Sequence, residues 1–205
     1  MIISASYKTD IPTFYGEWFM NRLRAGYCKM VNPWNRNQVI RVSLELQDVD
    51  GIILWTKNIA PFMSQLKEVH ERGYRFVIQH TINAYPRALE FSVVDATRSV
   101  QHLRQAADEY GPRVCVWRYD TIVFSSITPA DFHRANFERL CAALQGATDE
   151  VVVSFANLYQ KTFRNMNWAG GKFGFTWHDP PLEEKRSLLA DLIPIARSHG
   201  MQLTV

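Results

Sequence analysis

Short apolar runs alternate with amphipathic stretches along this chain. Residues 2–6, 51–55, 75–80, 113–117, 151–155 and 201–205 are brief and mostly unbroken in hydrophobicity. Parallel strands covered on both faces have that pattern. The stretches between them read as helices, and their punctuation agrees. Pro12 opens "TDIPTFYGEWFMNRLRAG" and Gly26 closes it, Pro61 and Gly73 bracket "NIAPFMSQLKEVHERG", and Thr128-Pro129 introduces "TPADFHRANFERLCAAL". Segment 94–111 completes the set with "VDATRSVQHLRQAADEYG", and "PPLEEKRSLLADLIPIARSHG" follows later, with a kink expected at Pro194. One departure is "YCKMVNPWNRNQVIRVSL", which reads as a β-hairpin inserted at about 27–44 around a turn-rich tip.

Strands alternating with helices predict an α/β fold with a parallel sheet and right-handed crossovers. Six such units leave two architectures, a doubly wound open sheet or a partial (β/α) barrel. No linker or low-complexity segment divides the chain, so one domain over residues 1–205 is expected. The 205 residues are 47% hydrophobic and 21% charged, which suits a globular protein with a substantial core. A net charge of +3 is too small to argue for nucleic acid by itself. No apolar run is long enough to span a membrane and the N-terminus lacks signal-peptide features, so a cytoplasmic location is expected.

The candidate chemistry gathers at one end of each strand. The first strand runs into Ser6, Lys8 and Asp10, the second into Trp55, Thr56 and Lys57, and the third into His80 and Asn83. The fourth delivers Arg118, Tyr119 and Asp120, and the fifth Asn157, Tyr159 and Lys161. All lie on the carboxyl side of their strands, the side on which ligands bind in parallel α/β proteins. Polar loops would produce some of this pattern unaided. Lys57, Asn83 and Arg118, however, follow apolar runs directly, where a polar group costs desolvation unless it is paired. Arg118 and Asp120 are two apart and share a strand face, so they can also simply pair with each other.

Other features carry less. Cys28, Cys115 and Cys141 are scattered singly and read as free thiols, two of them buried. His70, His102, His133 and His199 fall on helices and are expected to be exposed, and no histidine has metal-ligand spacing. The glycine-rich "NWAGGKFGF", residues 167–175, reads as a lid or flexible connection.

Taken together, "SASYKTDIPTFYGEWFMNRLRAGYC", "NPWN", "WTKN", "QHTIN", "WRYD" and "SFANLY" resemble a bacterial family of unknown function, number 1848. That family is similar in turn to radical S-adenosylmethionine proteins of the spore photoproduct lyase type. The resemblance implies a partial (β/α)6 TIM-like barrel. It also implies a cysteine-rich segment beyond Val205 that would hold a 4Fe-4S cluster. Thr121 stands where the family pattern has proline. By the same resemblance, Ser6, Lys57, Asn83 and Arg118 would contact S-adenosylmethionine. Asp10, Arg118 and Asp120 would serve catalysis, and Lys8, Trp55, Tyr119 and Tyr159 would meet a nucleotide or nucleic-acid substrate. The expected activity is a radical lyase or transferase, provided a cysteine cluster is supplied. Two alternatives stay open: a non-radical barrel enzyme using Asp10, Asp120 or His80 on a sugar or nucleotide, and a non-catalytic nucleic-acid-binding module using Lys8, Trp34, Arg36 and Arg41.

Overall fold

The computed structural model describes every residue except Tyr7, Lys8, Pro33 and Leu158, and the side chain of Arg36. The chain divides into two compact units, Met1–Gln79 and His80–Val205.

In the first unit, β1 (Ile2–Ser4) runs parallel to β4 (Gly51–Thr56), with Ile2 opposite Gly51 and Ser4 opposite Ile53. The first helical segment is two helices rather than one. α1 (Ile11–Phe14) starts where the Asp10 carboxylate accepts from the Thr13 N–H, with Pro12 in the first turn. Tyr15, at φ −133° and ψ 25°, leaves helical geometry before α2 (Gly16–Arg24) begins. Gly16 sits where a Cβ would come within 2.9 Å of the Phe62 ring, so the chain turns there against that ring. The inserted hairpin is present as β2 (Tyr27–Asn32) and β3 (Asn35–Ser43), an antiparallel two-stranded sheet of its own. The core of the unit joins Phe19, Met20 and Leu23 of α2 to Ile52 and Leu54 of β4. Leu66 and Val69 of α3 (Met63–Glu71) complete it. Full burial of each such side chain contributes about 1.5–3 kcal/mol. The unit boundary falls inside β5 (Phe76–Thr81).

The second unit continues the alternation. Its elements are α4 (Ala96–Tyr110), β6 (Cys115–Ile122), α5 (Ala130–Leu144), β7 (Glu150–Phe155), α6 (Gln160–Phe173), α7 (Leu182–Ser198) and β8 (Gln202–Thr204). β7 pairs in parallel with β6 on one side and β8 on the other, and Val151 stands opposite both Trp117 and Leu203. α5 buries His133, Asn136, Phe137, Leu140, Cys141 and Leu144, a stripe at helical spacing. Residues 167–175 are not a lid. α6 runs through most of them and stops at Gly174, whose φ of 73° is the left-handed geometry that ends helices. Pro194 lies inside α7.

The strand order of the six-stranded sheet is β1-β4-β5-β6-β7-β8. β1 and β8 stand at opposite ends of that order, and no ladder joins them among the described residues. The expected TIM-like partial barrel is therefore corrected to an α/β fold with a mostly parallel six-stranded sheet plus a small antiparallel one. Periodicity reports each strand and helix locally. Barrel closure depends on the tilt and stagger of all strands together, which no local pattern records.

Candidate functional site

The polar run of "WRYD" lies inside β6 rather than after it, and the two-residue period of a strand sorts its side chains. Trp117 and Tyr119 point to one face and are fully buried, with the Trp117 ring stacked on Phe137 of α5 at 5.0 Å. Arg118 and Asp120 point to the other face. There the Arg118 guanidinium donates to Asp120 Oδ2 from Nε at 3.0 Å and from Nη2 at 2.6 Å. Both side chains are less than one-fifth exposed. Ser154 of β7 donates to the other oxygen of the Asp120 carboxylate. The pairing that strand spacing allowed is thus made. The Asp120–Thr121 peptide bond is cis.

Asn83 ties the loop after β5 to this strand. Its Oδ1 accepts from the Asp120 N–H at 2.9 Å, and its Nδ2 donates to the Asp120 carbonyl and to Glu90 Oε1, each at 3.1 Å. Behind it runs a buried polar chain. Asn136 Nδ2 donates to the Asn83 carbonyl at 2.7 Å and to the Tyr119 hydroxyl at 3.1 Å. The Tyr119 hydroxyl lies 2.9 Å from His133 Nδ1, and His133 Nε2 lies 3.1 Å from the Val123 carbonyl. A carbonyl only accepts, so Nε2 carries the imidazole proton and Nδ1 accepts from Tyr119. Burial holds His133 neutral by lowering its pKa to about 4, and it pushes the Tyr119 phenol up. His133 is therefore buried, not exposed as expected. Tyr119, expected at a substrate, is part of the core.

Asn83 and Glu90 also line a cleft of about 250 Å³, together with Arg87, Thr97, Ser99 and Arg139. Arg87 Nη1 clamps the loop by donating to the Val93 carbonyl at 2.6 Å, and Arg139 Nη2 donates to Asn136 Oδ1 at 2.8 Å. Oppositely charged side chains thus share one polar cleft. His80 sits fully buried, its Nε2 3.3 Å from the Ser99 hydroxyl. Tyr159 is elsewhere in this unit, 70% exposed just ahead of α6.

In the first unit Asp10 is held by three hydrogen bonds. Asp10 Oδ1 caps α1. Its Oδ2 accepts from the Lys57 N–H at 2.9 Å and from the Thr56 hydroxyl at 3.1 Å. Thr13 extends the knot by donating to the Asn58 carbonyl at 3.0 Å. This carboxylate joins the start of α1 to the end of β4. Lys57 and Trp55 are exposed, and Ser6 is buried with its hydroxyl unsatisfied among the described residues. Lys8 lies outside the described residues.

Asn136, Ser154, Glu90 and Arg139 were not singled out from the sequence, and His133 was named only as an exposed helix residue. A signal existed for two of them. His133 and Asn136 occupy the apolar stripe of α5, where a polar residue must find a buried partner.

The described residues do not fit an iron–sulfur cluster. Cys115 and Cys141 are buried singly, and burial pushes both thiols up to about 12, whereas cluster ligands are thiolates. No group of three or more His, Cys, Asp or Glu side chains suited to a metal occurs among the described residues. No described helix is long and apolar enough to cross a membrane.

No curated protein and no solved structure matched the chain. A family model did: the family described as Domain of unknown function (DUF1848) matches residues 2–205, nearly the whole chain, and the chain belongs to that family.

Proposed function

We propose that the cleft of the second unit binds the amino-acid end of a small charged ligand, and that S-adenosylmethionine is that ligand. The observation that carries this reading is the meeting of Arg87 and Arg139 with Glu90 and Asn83 around about 250 Å³. A guanidinium suits a carboxylate, and a carboxylate with an amide oxygen suits an ammonium. Ligand pockets for whole drug-sized molecules run about 300–1,000 Å³, so this cleft suits a zwitterionic head group better than an entire nucleoside. S-adenosylmethionine has such a head group on its methionine end, and it is the cofactor that the resemblance to radical S-adenosylmethionine proteins implies. The radical chemistry implied with it needs a cluster that the described residues do not hold, so the proposal is confined to binding.

Isothermal titration of the purified chain tests it. S-adenosylmethionine and S-adenosylhomocysteine should bind saturably, free methionine more weakly and adenosine not at all. Glu90→Gln and Arg139→Gln should each weaken binding about tenfold or more, the size of a lost charge-assisted hydrogen bond. Unchanged affinity in both variants, or equal binding of adenosine, would overturn the reading.

A further inference from the structure

The β2–β3 ribbon is a two-stranded sheet with apolar side chains open on both faces. Met30 pairs across the ribbon with Ile40, and Val31 with Val39. Successive positions face opposite ways. All four side chains are about half exposed, from 46% to 54%, and Trp34 at the tip is 95% exposed.

Charge is segregated on the same element. From Tyr27 to Leu44 the chain carries Lys29, Arg36 and Arg41 and no acidic residue. Of its 23 Lys and Arg, the other 20 balance the 20 Asp and Glu, so the ribbon holds the entire net charge of +3. Lys29 and Arg41 stand directly opposite each other. Like charges in that register destabilise a strand pair. Arg41 is further held over the Tyr27 ring, 4.4 Å from its centre. This arrangement costs the fold stability and would be relieved by an anion lying across the two cations.

Three kinds of partner present themselves to an exposed, cationic, apolar ribbon. A second copy of the chain fits poorly, since a two-fold contact would set Lys29 and Arg41 against their own equivalents. A lipid surface fits poorly too. The tip is rich in amides, with Asn32 Nδ2 donating to Gln38 Oε1 at 2.7 Å and Asn35 Oδ1 accepting from the Asn37 N–H at 3.1 Å. Burying such groups in hydrocarbon is costly. A polyanion with flat, unstacked rings and hydrogen-bonding edges fits all three features. We propose that the β2–β3 ribbon binds single-stranded nucleic acid, with Lys29 and Arg41 on backbone phosphates and Trp34 stacked on a base. This stands independently of the cleft in the second unit.

The test is fluorescence anisotropy of the full chain with a labelled single-stranded oligonucleotide, its duplex and, separately, anionic lipid vesicles. Single-strand affinity should fall with salt at a log–log slope of about −1.4, as the two phosphate contacts of Lys29 and Arg41 require. Lys29→Gln should weaken binding and flatten that slope by about 0.7, while Arg41→Lys should leave the slope in place. Trp34→Ala should weaken binding about tenfold with the slope unchanged, because stacking is not ionic. Lys29 and Trp34 are exposed, so neither variant should melt below the parent chain by circular dichroism. The proposal falls if no strand binds at low salt, if these variants bind like the parent, or if the duplex is preferred. It also falls if vesicles bind while the strand does not, or if the chain self-associates through Trp34 without binding the strand.

Discussion

Asp10 illustrates how a residue with the chemistry of a catalyst is used by the fold. Its carboxylate accepts three hydrogen bonds from α1 and the end of β4. Asp10→Ala should therefore lower stability by about 2–4 kcal/mol, combining a lost N-cap with lost charge-assisted bonds. Urea denaturation measures this; a catalytic role alone would leave the midpoint where it was. His133 gives a pH dependence. Its folded pKa is held near 4 by burial, against about 6.5 in the unfolded chain. Between those values the unfolded chain takes up a proton that the folded one refuses. Stability is thus full above about pH 6.5, falls as the pH drops toward 4, and has lost this contribution below that. The loss is about 2 kcal/mol between pH 7 and pH 5. His102, also lowered by burial, acts in the same direction. Denaturation midpoints at the two pH values should differ clearly in the parent chain and less in His133→Gln.

At the scale of elements, α6 separates two neighbouring glycines. A Cβ on Gly170 would come within 2.6 Å of the Phe175 carbonyl oxygen, whereas one on Gly171 meets nothing within 4 Å. Alanine is favoured over glycine in a helix by about 1 kcal/mol. Gly171→Ala should accordingly raise the melting temperature by about 2–4 °C. Gly170→Ala should lower it, because the carbonyl is backbone and must move. Differential scanning calorimetry of the two variants checks the contrast. The glycine content of 167–175 suggested a loop, since glycine is a weak helix former. The close approach of Phe175 is the packing reason for Gly170, and that reason is invisible until the chain folds back. β6 was more legible. Two-residue alternation placed Arg118 and Asp120 together, and the same rule places Tyr119 with Trp117 on the buried face. The partners of Tyr119 could not be read that way, because His133 and Asn136 come from α5, 14 and 17 residues further along.

For the whole molecule, the alternation of strand and helix and the inserted hairpin were both legible, because hydrophobic period, capping residues and turn formers act over a few residues. So was the uneven charge, with three cations and no acidic residue between Tyr27 and Leu44. The cleft of the second unit was only partly visible. Asn83 stood out after its strand, but Arg87, Glu90 and Arg139 reach the same cavity from a loop and a helix, and their joining is a matter of packing. The order of the six strands likewise had to come from the tertiary structure, since a local pattern carries no record of strand tilt or stagger. The sequence by itself determined the elements, their faces and the location of the net charge. Tertiary structure decided which polar side chains became core, which became knots between elements and which were left around a cleft. The reason is physical: a buried polar group is settled by the partners it finds, and those partners lie far away in the chain.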